Sequence, residues 1–176
     1  MKRLIIYFYY MKSTTTNNKT ILVIEDDTAL LAAIKVKLEH SGFDVVISRS
    51  VEHAFTTEYS DMLDTNQEIN KSYIETSLAH LQTLEKVDAI WLDHNLIGKE
   101  DGLDFVVKFK ANGGSWASLP IFVVSNSAND ELIKTYAELG VTKYYLKAEH
   151  TLVAIIRDIK DTLGVYDYDN RIPTRK

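Results

Sequence analysis

From Thr20 onward the chain alternates short apolar runs with longer stretches whose apolar residues recur every three or four positions. Ile21–Ile24 is continuously apolar, the pattern of a parallel strand buried on both faces rather than of a half-exposed one. Asp27 or Thr28 then caps a helix whose apolar face holds Leu30, Leu31, Ile34 and Leu38, and Gly42 ends it. Phe43–Ile47 predicts a second strand and Ala89–Leu92 a third. Leu103–Lys110 is helical and is closed by Asn112, Gly113 and Gly114. Pro120 opens a fourth strand, Ile121–Val124, and a helix through Leu132, Tyr136 and Leu139 ends at Gly140. Lys143–Leu146 is a fifth strand. The final helix sets Leu152, Ile155, Ile156, Ile159 and Leu163 at helical spacing and stops at Gly164.

Five strands alternating with five helices predict an α/β domain, a doubly wound three-layer sandwich with a parallel sheet covered on both faces. One connection is longer than a minimal unit needs. About forty residues separate the second and third strands, where a single crossover helix suffices. Within them Ser72 and Glu75 form a capping box, and Ile74, Leu78, Leu81 and Leu84 follow as an apolar stripe, so Tyr73–Leu84 is the expected crossover helix. Residues from about 51 to 71 then form an insertion, a helical turn or two with a polar loop. It reads as a tolerated surface insertion, with a partner-docking element as the functional alternative. Residues 1–18 read as an extension outside the fold. Lys2 and Arg3 precede the apolar run Leu4–Tyr10, but that run is too short and aromatic for a secretion signal and shorter than a membrane span. The domain is thus placed at 19–164, with 165–176 a polar tail too short for a second domain.

Composition narrows the classes. Hydrophobic residues make up 45% and charged residues 26% of the 176, enough to build a core and unlike a disordered tail. A net charge of −5 argues against nonspecific nucleic-acid binding, which needs a basic face. The absence of cysteine excludes disulfides, thiolate metal sites and cysteine nucleophiles, and fits a reducing cytoplasm.

In an open parallel sheet, ligands gather beyond the carboxyl ends of the strands. The first strand delivers Glu25, Asp26 and Asp27 there, the third Asp93, the fourth Ser125 and the fifth Lys147. Carboxylates brought together repel each other and are costly to bury unpaired. Mg²⁺ is the natural compensator, since it takes a few carboxylate oxygens, a carbonyl and retained waters. Lys147 offers a compact charge to a phosphoryl oxygen, and Ser125 a hydrogen bond to a second. A carboxylate nucleophile then needs only alignment and charge neutralisation to accept phosphoryl. The plain alternative is acids that only cap helices, which suits Asp27 but not a set at four strand ends.

Four stretches carry a resemblance to a known family: Ile-Leu-Val-Ile-Glu-Asp-Asp (Ile21–Asp27), Asp-Ala-Ile-Trp-Leu-Asp (Asp88–Asp93), Pro-Ile-Phe-Val-Val-Ser (Pro120–Ser125) and Tyr-Tyr-Leu-Lys (Tyr144–Lys147). In this order they resemble the receiver domains of two-component response regulators, over roughly Lys19 to Leu163. The resemblance implies a flavodoxin-like (βα)5 fold with strand order 2-1-3-4-5, an order the spacing alone does not supply. It implies Asp93 as the phosphoryl acceptor, with Glu25, Asp26 and Asp93 holding Mg²⁺ and the backbone carbonyl of Asn95 completing that site. It makes Lys147 the phosphate-binding lysine, Ser125 the switch hydroxyl and Tyr144 the switch aromatic. A histidine kinase or phosphotransfer protein is then the donor, and output passes to a downstream protein target that the sequence does not name. Homodimerisation through the fourth helix, fifth strand and fifth helix is left open. The expected protein is a stand-alone, chemotaxis-regulator-like receiver in the cytoplasm. It works in phosphorelay signal transduction as a phosphoprotein with no nucleic-acid or membrane partner, and is not an enzyme beyond its own phosphorylation and dephosphorylation.

Three positions depart from the family pattern. Ala148 follows Lys147 where a cis proline is usual, which leaves the geometry of that peptide bond open. The loop Asn95–Gly102 has Ile97 where proline is common and one extra residue, and Asn126 replaces a small residue after Ser125. These departures support an alternative, an interaction module of the same fold that works without phosphorylation. A phosphatase of the haloacid dehalogenase type is disfavoured, because a second acid two residues past the nucleophile is needed and Asn95 stands there. His94 is adjacent to Asp93 but points to the other side of a strand, so it packs away from the pocket. His40, His53, His80 and His150 lack metal-binding spacing and read as structural or surface residues, and Trp91 and Trp116 as core or loop packing.

Overall fold

The computed structural model describes residues 18–54, 87–111, 113 and 115–166. The expected crossover helix Tyr73–Leu84, residues 1–17, most of the insertion, the tail from 167, and Asn112 and Gly114 lie outside the described residues.

The order is β1 (Thr20–Ile24), α1 (Thr28–His40), β2 (Asp44–Ser48), α2 (Val51–Ala54, one turn), β3 (Ala89–Asp93), α3 (Gly102–Ala111), a 3-10 turn (Ser115–Ser118), β4 (Ile121–Ser125), α4 (Asp130–Glu138), β5 (Lys143–Leu146) and α5 (Leu152–Leu163). All five strands pair in parallel in the order β2-β1-β3-β4-β5. This is the flavodoxin-like order implied by the resemblance.

Strand alternation divides the core into two layers. On one face Ile21, Val23, Ala89, Trp91, Phe122, Val124 and Tyr145 pack against Leu31, Ile34 and Leu38 of α1 and Ile155, Ile156 and Ile159 of α5. On the other, Leu22, Ile24, Ile90, Leu92, Ile121 and Val123 pack against Phe105, Val106 and Phe109 of α3 and Tyr136 of α4. The three central strands are therefore apolar at successive positions, each fully buried aliphatic side chain stabilising the fold by about 1.5–3 kcal/mol. At the sheet edge, β2 keeps Asp44 and Ile47 exposed.

Small boundary differences have local causes. The second strand runs one residue later than the expected Phe43–Ile47. The Phe43 N–H is taken by the Leu38 carbonyl at 3.2 Å as α1 closes, and the Ser48 carbonyl accepts from the Glu25 N–H at 3.1 Å. Asp27, not Thr28, caps α1: its Oδ1 accepts from Ala29 and Leu30 N–H at 2.9 Å each. Both β3 and β4 extend one residue further than expected, to include Asp93 and Ser125.

Candidate functional site

Register decides which side chains meet. Ile24 pairs with Leu92, so Glu25 emerges beside Asp93, and Ser125 pairs with Leu146, so Lys147 emerges one step beyond it. Alternation puts Glu25, Asp93 and Lys147 in one set, continuing Ile21–Val23, Ala89–Trp91 and Tyr145. Ser125 continues the other set, with Ile121 and Val123.

Asp93 is 3% exposed and Glu25 1%. Lys147 joins them: its Nζ donates to Asp93 Oδ2 at 2.8 Å and to Glu25 Oε2 at 3.1 Å. Its backbone is pinned too, with the Lys147 N–H donating to the Ser125 carbonyl at 2.7 Å. The remaining carboxylate oxygens meet backbone amides. Asn95 N–H donates to Asp93 Oδ1 at 3.2 Å, and Asp27 N–H to Glu25 Oε1 at 3.3 Å. Half-buried Asp26 completes the cluster, and one oxygen from each of Glu25, Asp26 and Asp93 lies within 4.8 Å of the others. Arg49 Nη2 donates to the Asp26 backbone carbonyl at 3.4 Å.

The electrostatics follow from three acids gathered around one ammonium group. Burial, then the charge of Asp93, raises the Glu25 carboxyl to about 7, against the opposing pull of Lys147. Burial alone would lower Lys147, but its hydrogen bond to Asp93 and that charge, followed by those of Glu25, outweigh it and hold the lysine above its ordinary value. The cluster therefore retains unmet negative charge beside a firmly protonated lysine. Converging hard oxygens with that deficit fit Mg²⁺, which prefers carboxylate and carbonyl oxygens to nitrogen or sulfur.

Ser125 and Tyr144 form an adjoining network rather than part of the acid cluster. Ser125 is fully buried, and its Oγ accepts from Ser127 N–H at 3.0 Å. Half-buried Tyr144 donates its hydroxyl to the Ser127 carbonyl at 2.9 Å and tilts against Tyr136, ring centroids 5.6 Å apart. Ser127 thus ties the two together. Asn95 joins the acids through its backbone N–H, while its side chain is exposed.

The departures from the motif pattern also take definite shapes. Among the described residues there is no cis peptide bond, so Lys147–Ala148 is trans, and Lys147 still spans both acids. Ile97 and Asn126 stand exposed. His94 turns away from the acids and shares a 2.9 Å hydrogen bond between its Nδ1 and the Tyr136 hydroxyl.

Two residues gained no role from the sequence. Gly102, the first residue of α3, donates its N–H to the His94 carbonyl at 2.9 Å. A Cβ there would lie 2.5 Å from the Asp93 carbonyl oxygen and 2.8 Å from His94 Cα. Tyr136, read only as an apolar helix position, is fully buried with its hydroxyl against His94. The alternation that sets His94 on the α3–α4 side was the available signal; the partner depended on three-dimensional packing.

Solved structures similar to this one are receiver domains. The receiver domain of Francisella response regulator 1452 superposes with a TM-score of 0.61 at 18% identity, covering 84% of this chain and 98% of that one. A CheY-like receiver domain protein from Methanospirillum hungatei gives 0.59 at 20% identity, covering 84% and 94%. The BeF3-activated N-terminal receiver domain of Klebsiella pneumoniae RstA gives 0.59 at 19% identity, covering 82% and 98%. No protein-family model matches the sequence, and no curated protein matches it either. At these identities the likeness shows the fold, that of CheY-like receiver domains.

Proposed function

We propose that this chain is a receiver that accepts a phosphoryl group on Asp93 from a histidine kinase or phosphotransfer protein and signals by changing its contacts with another protein. The observation that carries the reading is Lys147 Nζ held between Asp93 and Glu25 at the carboxyl edge of a receiver-type sheet. An acid kept at 3% exposure, paired with one lysine and flanked by two further carboxylates, is poorly explained by surface capping.

Glu25, Asp26 and Asp93, with the Asn95 backbone carbonyl, are the groups that would hold Mg²⁺, which supplies charge neutralisation to the transferred phosphoryl group. An Asp93 carboxylate oxygen attacks phosphorus. The O–P bond forms as the donor's bond to phosphorus breaks, and the donor leaves with that electron pair. Lys147 steadies the attacking carboxylate and then a phosphoryl oxygen. Ser125, freed from Ser127 N–H, turns its hydroxyl to a second phosphoryl oxygen. That exchange alters the residue on which Tyr144 rests, so the rearrangement reaches β5, α4 and α5, the surface offered to a partner. No external substrate is converted. Among the described residues no helix is long and apolar enough to cross a membrane.

The test is the intact mass of the protein incubated with acetyl phosphate and Mg²⁺. One added phosphoryl group is expected, prevented by EDTA and absent from Asp93→Asn. A protein that stays unmodified with acetyl phosphate, and whose fluorescence ignores beryllofluoride, would instead be a phosphorylation-independent interaction module.

A further inference from the structure

Tyr136 is fully buried between α4 and the sheet, yet it carries a hydroxyl where packing alone is met by a phenyl ring. A buried hydroxyl is costly unless it is hydrogen-bonded. Its partner is His94 Nδ1 at 2.9 Å, with the two rings edge to face and their centroids 5.8 Å apart. His94 is the residue after Asp93, and its carbonyl accepts from Gly102 N–H at 2.9 Å. Gly102 also leaves the hydroxyl its room, since a Cβ there would stand 3.0 Å from it. The Tyr136 ring in turn tilts at 44° against Tyr144. The Tyr144 hydroxyl donates to the Ser127 carbonyl at 2.9 Å, and Ser127 N–H donates to Ser125 Oγ at 3.0 Å. Asp93 pairs with Val124 in the β3–β4 register, directly before Ser125. The contacts therefore close a circuit, from Asp93 through His94, Tyr136, Tyr144 and Ser127 to Ser125.

We propose that Tyr136, pinned by His94, is a positioning residue for the switch: it holds Tyr144 on the Ser127 carbonyl and so keeps Ser125 on the Ser127 N–H. This role rests on the reading of Ser125 and Tyr144 as the switch pair. Ser125 must leave Ser127 N–H to reach a phosphoryl oxygen, so a group that steadies Ser127 opposes the change. The His94–Tyr136 bond then favours one arrangement over the other, which is the condition for shifting a population. A tyrosine that only filled the core would stabilise both arrangements alike and shift nothing.

Hydrogen exchange at the Ser127 amide, followed by NMR on the ¹⁵N-labelled full chain, reads the release of Ser125 with no ligand added. Tyr136→Phe keeps the ring and loses the hydroxyl, and His94→Leu removes the partner instead. Each should quicken that exchange roughly two- to tenfold, the worth of one neutral hydrogen bond. Each should also lower the beryllofluoride concentration at half-saturation, in Mg²⁺, by a similar factor. In a Tyr144→Phe background neither should add anything, because the route through Tyr144 is already cut. Far-UV circular dichroism reports whether each variant is folded. Unchanged Ser127 exchange in either folded variant, an unmoved half-saturation, or an effect that persists undiminished without the Tyr144 hydroxyl would overturn the proposal. A wild-type protein that ignores beryllofluoride while Ser127 exchange responds as expected would overturn the phosphoryl-acceptor reading alone, and would support the positioning of Ser125 by Tyr136.

Discussion

Burial and the charge of Asp93 lift the Glu25 carboxyl to about 7, while Lys147 remains protonated beside it. The folded protein therefore holds a proton on Glu25 over a range where the unfolded chain has released it, between the ordinary 4.5 and about 7. The stability Glu25 contributes in its protonated form is full below the lower value and is lost as pH rises through the upper one. In EDTA, the unfolding free energy of wild type relative to Glu25→Gln should fall across that window by on the order of 3 kcal/mol. Urea titrations at several pH values would show it. A difference that stays flat, or grows with pH, contradicts the account of this site. At this scale the residue types at the strand ends were legible in the sequence, because acids, a hydroxyl and a lysine stand directly after apolar runs. What Ser125 and Tyr144 touch was not. Both turn on Ser127, whose backbone groups serve two side chains on different strands, and no local pattern announces such a contact.

Elements were legible to the degree that both faces are buried. The central strands β1, β3 and β4 carry near-continuous apolar runs because helices cover both sides, and their expected positions hold to within one residue. At the sheet edge, β2 gives a weaker signal, and its bounds shifted by a residue where hydrogen bonds from the α1 end and from Glu25 decided them. The junction of β3 with α3 was the least legible, since close backbone approach leaves no trace in periodicity. Gly102 seats the first turn of α3 directly on the Asp93–His94 backbone. A methyl group 2.5 Å from the Asp93 carbonyl oxygen cannot be absorbed by a rotamer change, because the atom it meets is backbone. Gly102→Ala should therefore destabilise the protein by roughly 2–4 kcal/mol, and displace the Asp93 backbone with it. Chemical denaturation reads the first effect and amide chemical shifts around Asp93 the second. A stability change under about 0.5 kcal/mol, typical of neutral surface substitutions, would show that the helix is not seated as described.

Over the whole molecule, alternation of strands and helices pointed to a parallel sheet with two covered faces, but the order β2-β1-β3-β4-β5 came only with the family resemblance. Periodicity cannot say on which side of β1 the chain returns. The fold explains why the acids converge: strands that are adjacent in space but distant in sequence end at matching heights, so Glu25 and Lys147 meet across 122 positions. The same topology sets Ser125 at the end of β4 and Tyr144 in β5 against Tyr136 of α4, and these are the elements through which the proposed change at Asp93 would reach the surface. All of this depends on Asp93 itself, rather than Glu25 or Asp26 a few ångströms away, taking the phosphoryl group. The most direct test is to treat the protein with acetyl phosphate and Mg²⁺, reduce with borohydride, which converts an aspartyl phosphate to homoserine, and map the peptides by mass spectrometry. Homoserine at position 93 and at no other acidic residue is the expected result. Homoserine at 25 or 26, or a map without homoserine despite an added phosphoryl mass, would contradict it.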